Sequence, residues 1–302
     1  MDNDVEVAGR LVGRRDWTNL KSVAYVLGAT GIFSFIFASG RFAGELASPL
    51  QIMFLRYASG LLTVLVIARL RGESWRSMQS EHRTSQALRA LAGGLGGAAI
   101  IFANAHMPLV DATAISLLSG VFLLVLGVIV FNERLRLAHV VGTAACLGGA
   151  AMVMAARGAL SGLDASYLVP AAVTVLGALL IAIESAYIKY LAVVDRPLVT
   201  LAHVNLFGML ILLIPAALTW QSLGPVNLAL AMIGPLAILG QYLNIRGYTL
   251  ASVSVLAPIS YASLIFSALL GWIFFMQTPT VGVIAGAVVI AIGGTIIALS
   301  RR

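Results

Sequence analysis

Three sites in this 302-residue chain carry groups whose chemistry their apolar surroundings make costly. Arg56 stands in SPLQIMFLRYASGLLTVLVIA, about eight residues, or roughly 12 Å, into a helix of 1.5 Å rise. A guanidinium that deep costs about 2.5–3.5 kcal/mol to insert in a membrane, so it faces a cavity or a partner. It could hold the carboxylate of a bound solute, or it could snorkel to the near surface or pair locally with Tyr57 or Gln51. Glu184, in ALLIAIESAYIKY, is the one acidic residue well inside an apolar run. It could carry a proton or serve a gate, and the plainer expectation is an ion pair with Lys189 or Arg246. His106-x-x-x-x-Asp111 has the spacing of an acyltransferase pair, in which the Asp orients the His as general base. Met107-Pro108 interrupts that segment, so an intramembrane acyltransferase-like enzyme is the most remote reading. Walker, His-Glu-x-x-His and nucleophile-elbow sequences are missing, and the sequence calls for no catalytic residue, cofactor or metal.

The neutral polar residues need a second kind of account. In GQYLNIRGY, Gln241, Tyr242 and Asn244 are expensive toward lipid and are expected to face a bundle interior. Helical spacing puts Gln241 and Asn244 on one face, with Tyr248 four residues further along it. Asn104, Ser116, Ser119, Ser260, Tyr261 and Ser263 could line the same space. Each could instead be glue between helices, the commoner use of such residues in membranes. His203, beside Asn205, could relay protons or simply pack. Pro258 removes a backbone hydrogen bond and is expected to kink or unwind its helix, and discontinuous helices are where carriers tend to place their sites.

The elements that would position these residues follow from composition. The chain is 60% hydrophobic and 10% charged, with mean hydropathy +0.98, against about 25% charged in a soluble domain. An all-α integral membrane protein is the consequence. Apolar runs near 22–40, 48–68, 86–106, 111–131, 137–155, 167–189, 197–219, 226–246, 251–275 and 280–299 predict ten spans. Breaks fall at Ser48-Pro49, Pro108, Arg196-Pro197, Gly224-Pro225 and Thr278-Pro279. With the N-terminus in the cytoplasm, sixteen of the nineteen Lys and Arg fall on the inner side, Arg89 counted with its loop. Arg41 and Arg157 lie outside and Arg56 within a span. That bias gives an N-in/C-in topology in a cytoplasmic (inner) membrane. The net charge of +7 is then a topology signal, and no nucleic-acid partner is implied. The lone Cys146 excludes a disulfide framework.

Ten spans divide into two halves of five, the second inverted relative to the first. The boundaries are a cytoplasmic arm 1–21, a first repeat 22–157 and a second repeat 158–302. A faint internal echo supports the division. Residues 104–142 match 248–286 at an offset of 144, with Ser119 on Ser263, Gly127 on Gly271, Phe131 on Phe275 and Gly142 on Gly286. Ser48-Pro49-Leu50 is also echoed by Arg196-Pro197-Leu198. Inverted repeats of this kind are a plan of secondary transporters. The stretch NAHMPLVDATAISLLSGVF leading to VIVFNERL resembles the EamA-type permeases of the drug/metabolite transporter superfamily, with Glu133-Arg134-Leu135 at the family's turn. Gly120 and Leu264 stand where the family has Pro, and Gln277 where it has Glu. The resemblance, which spans almost the whole chain, implies a ten-helix permease whose cargo is a small metabolite. With Arg56 for a carboxylate, it leads to an exporter of amino acids, aromatic and apolar ones included; a passive channel or facilitator is the alternative. The helix five and helix ten small-residue faces, at Gly142, Gly148-Gly149 and Gly282-x-x-x-Gly286, are expected to be supports or a homodimer face.

Overall fold

The computed structural model describes the backbone of residues 2–74, 76–133, 136–156, 165–221, 224–276 and 280–298. The side chains of residues 2–19 and of some later positions, Pro258 and Ser260 among them, lie outside that description, as do Arg134, Leu135 and Gln277. Among the described residues every regular element is a helix. They are α1 (Asp2–Ala43), α2 (Pro49–Leu70), α3 (Arg83–His106), α4 (Leu109–Ser116), α5 (Leu118–Phe131), α6 (Leu137–Ala156) and α7 (Ala165–Val194). After these come α8 (Pro197–Leu218), α9 (Pro225–Ala231), α10 (Ile233–Leu250), α11 (Val253–Leu256), α12 (Ser263–Phe275) and α13 (Val281–Ala298).

Seven helical runs are long and apolar enough to cross a membrane, beginning at Leu20, Pro49, Arg83, Leu109, Leu168, Pro197 and Pro225. Three shorter apolar helices, Leu137–Gly149, Ser263–Phe275 and Ile284–Gly293, accompany them. The residues expected to form a separate arm, 2–21, continue helically into α1.

Local chemistry sets the boundaries. Ser48 caps α2 by accepting from the Gln51 amide at 3.1 Å, while the Gln51 side chain accepts from the Ser48 amide, and Pro49 fills the first helical position. Pro197 likewise stands at the start of α8, there without a side-chain cap. Three runs are discontinuous. One breaks at Leu117 between α4 and α5, one at Met232 between α9 and α10. The third passes through a 3-10 stretch, Ala257–Ala262, that contains Pro258. Pro235 explains the second break, because it cannot donate to the carbonyl of Ala231.

Several contacts come in matched pairs. Arg41 donates to the Met107 carbonyl at 3.2 Å, at the end of α3. Lys189 donates to the Ala251 carbonyl at 2.8 Å, at the end of α10, and to Tyr248 beside it. Both cations satisfy carbonyls that a helix end leaves open. Asn132 and Met276, 144 positions apart, both close their helices with positive φ, 51° and 56°. The Tyr57 ring covers Gly208, and the Asn205 amide covers Gly60, each 148 positions on from its counterpart. The change of spacing from 148 to 144 is about one helical turn, absorbed in the long connection between α2 and α3.

Helices α6 and α13, which carry the small-residue faces, pack against each other. A Cβ at Gly149 would stand 2.6 Å from the Gly286 carbonyl, and one at Gly293 would stand 2.6 Å from that of Gly142. The faces at Gly149 and Gly293 are closed on one another within the chain, while a Cβ at Gly148 would meet nothing within 4 Å.

Candidate functional site

A cavity of about 150 Å³ lies among α1–α5, α7, α10 and α12. Helix α1 supplies Thr30, Phe33, Ser34 and Phe37 to its wall, a stripe at positions i, i+3, i+4 and i+7. Arg56 and Met53 enter from α2, Asn104 from α3, and Thr113, Ser116 and Ser119 from the broken run α4–α5. Glu184 and Ser185 come from α7, Gln241, Asn244 and Tyr248 from α10, and Ser263 and Ser267 from α12. Thr113 and Ser267 hydrogen-bond at 2.7 Å and tie the two discontinuous runs together across the floor.

Arg56 is only 4% exposed. Its guanidinium carbon lies 4.5 Å from the Tyr57 ring centre and 5.7 Å from that of Phe33. Cation–π contact of this kind stabilises a cation without neutralising it. Among the described residues no carboxylate is within ion-pair distance of Arg56, and its Nε has no hydrogen-bond partner. Asn104 donates to the Phe37 carbonyl at 3.0 Å and leaves its side-chain oxygen unpartnered. The cavity therefore offers one uncompensated cation and one unfilled acceptor.

At the far side stands a group that the charge count misplaced. Arg89 belongs to the interior of α3 and is wholly buried, not part of the loop. It donates through Nη2 to Gln241 and lies 4.0 Å from Glu184 through Nε. Gln241 in turn donates to Glu184 Oε1 at 3.3 Å. The partner of Glu184 is thus Arg89, where Lys189 or Arg246 had been expected. Arg89 has no local sequence signal, since its partner is 95 positions away.

Several expected site residues lie elsewhere. Tyr242 is 41% exposed on the opposite face of α10, against α2 and α8. Its position one residue from Gln241, about 100° around a helix, is the reason. Tyr57 supports Arg56 from below and is absent from the cavity wall. Tyr261 is buried in a core cluster with Val110, Cys146, Leu264 and Ile290. His203 bonds its own helix through the Val199 carbonyl and sits beside Phe207. The backbone at Ser260 and Pro258 is 3-10, and their side chains lie outside the described residues. His106 is exposed and bonds Phe102 of its own helix, with no hydrogen bond or ion pair to Asp111, which is buried at the start of α4. The α1 stripe was legible as a polar and aromatic series, and sequence reasoning passed over it.

Comparison with known proteins agrees with this architecture. The EamA-like transporter family matches residues 20–155 and again 169–299. The chain is 27% identical over 278 residues to the pseudopaline exporter CntI of Pseudomonas aeruginosa (strain UCBPP-PA14), covering 90% of this chain and 93% of that one. It is 26% identical over 251 residues to a riboflavin transporter of Brucella anthropi, covering 79% and 84%. One crystal structure superimposes with a TM-score of 0.74 at 20% identity, over 95% of this chain and 99% of the other.

Proposed function

The chain belongs to the EamA-like transporter family, and from that premise we propose that it exports small carboxylate-bearing metabolites, amino acids with apolar or aromatic side chains foremost. It is a multi-pass transmembrane transporter. The reading adds alternating access across the cytoplasmic membrane, with the cavity as the carrying site. The observation that carries it is Arg56, a buried cation on the cavity wall with no carboxylate partner among the described residues. Such a group is costly unless something anionic visits it. Phe33, Phe37, Met53 and Leu123 line the same space and suit an apolar or aromatic side chain. One relative is named an exporter, which favours the outward direction.

The scaffold in this proposal is ten spans in two inverted repeats, 22–157 and 158–302, with both termini in the cytoplasm. Seven long and three shorter apolar helices are compatible with ten crossings. The family match to each half and the matched contacts of Arg41 with Met107 and Lys189 with Ala251 support the repeat. In an inverted pair those two cations cap helix ends on opposite sides of the membrane.

The test is flux in liposomes holding purified protein. Saturable counterflow of leucine or phenylalanine, lost in Arg56→Gln, is the expected result. Flux of some other solute with no competition from any amino acid would overturn the cargo. Ungated single-channel conductance would replace the carrier with a passive facilitator.

A further inference from the structure

Glu184 is the only acidic side chain among the described residues of the cavity wall, and its setting is built around it. Gly93 of α3 lies against the carboxylate: a Cβ there would stand 2.5 to 2.7 Å from its three terminal atoms. Arg89 lies behind, with none of its side chain accessible, whereas 11% of the Glu184 side chain is. What meets the cavity is therefore the carboxylate, and the guanidinium backs it. Gln241 and Arg89 both address Oε1. Among the described residues Oε2 accepts no hydrogen bond. A carboxylate held from behind, with one oxygen unserved and a cavity in front, fits a cation donor.

We propose that Glu184 is an ammonium subsite, so that the cargo is read as a zwitterion with its carboxylate on Arg56 and its primary amine on Glu184. This rests on the carboxylate reading of Arg56. With cargo in place the charges alternate along the cavity: Arg56, carboxylate, ammonium, Glu184, Arg89. Each charge then has an opposite neighbour, the arrangement in which desolvated charges attract most strongly. Asn244, three residues beyond Gln241 on the same wall, can serve the remaining ammonium hydrogens. Arg89 is a positioning residue here. It holds Glu184 in place without touching cargo.

The chemistry predicts which analogues fail. N-acetylation replaces a cation with a neutral amide and leaves the Glu184 charge desolvated and unpaired. Amidation of the carboxylate does the same to Arg56. The experiment measures competition for flux, and thermal stabilisation of the detergent-solubilised protein, by leucine, N-acetyl-leucine and leucinamide. In the native protein N-acetyl-leucine is expected to be at least about tenfold weaker than leucine. In Glu184→Gln the ratio of leucine to N-acetyl-leucine collapses toward one, while leucinamide stays weak; Glu184→Asp retains discrimination. A native protein that accepts N-acetyl-leucine as well as leucine overturns the ammonium subsite and leaves Arg56 intact. So does a folded Glu184→Gln variant that keeps the native ratio. Leucinamide as effective as leucine, with Arg56→Gln unimpaired, overturns the carboxylate reading itself.

Discussion

At the scale of single residues the cavity holds charge that stability alone would not select. Arg56 rests on two aromatic rings with no counter-ion among the described residues. Replacing it with Met is expected to stabilise the detergent-solubilised protein by roughly 1–3 kcal/mol, seen as a higher unfolding temperature, while flux disappears. A destabilised but transporting variant would contradict that account. The Arg89–Glu184 pair behaves differently. Arg89→Met strands a carboxylate and is expected to cost about 3–5 kcal/mol. Arg89→Met combined with Glu184→Met is expected to recover most of that loss, as a double-mutant cycle on thermal unfolding would reveal. How far these residues could be read from sequence depended on whether the signal was local. Arg56 lies deep in a run and announces its cost, and Gln241 with Asn244 declares a helical face. Tyr242 was misread because polarity was weighed before angle. Arg89 sat near a span end, where a basic residue ordinarily snorkels, and only the fold brings Glu184 to it.

At the scale of elements, hydropathy and proline marked the breaks before α2, α4, α8 and α9, because both act through neighbours along the chain. The break at Leu117 had no such sign: no proline or glycine stands at the position itself. The connection between α2 and α3 has a clasp that can be tested. Glu73 takes hydrogen bonds from Arg196 and Ser77, and the Arg196 bond, foremost, holds its carboxyl below the usual 4.5. A depressed carboxylate contributes stability above its unfolded value and loses it as pH falls through its folded one. The difference in unfolding temperature between native protein and Arg196→Gln is therefore expected to be steady near neutral pH. It should fade as pH falls below the ordinary carboxylate range and vanish once pH is below the depressed folded value. A difference that persists undiminished in acid would mean that the clasp acts by packing instead. Because Arg196 is exposed and Glu73 only half-buried, the effect should also shrink with salt.

For the whole molecule, sidedness is the property most in need of measurement. Cys146 is buried and hydrogen-bonded to Ile290, so it should stay silent toward polar maleimides. Met276, 87% exposed at the end of α12, and Ser77, in the connection after α2, report opposite faces if the chain is inverted about its middle. Met276→Cys is expected to label in intact cells, and Ser77→Cys only after permeabilisation. Labelling of both from the same side would remove the proposed inversion. The most extensive helix packing among the described residues crosses the middle of the chain: α6 on α13, α3 on α7, α1 on α10 and α2 on α8. Each half thus leaves its partner-facing glycines and carbonyls open when alone, in lipid where nothing else can fill them. The two halves are interlocked like clasped hands rather than set side by side. Residues 1–157 and 158–302, produced as separate polypeptides, should each be degraded alone. Made together, they should find one another in the bilayer and restore flux with no covalent link between them.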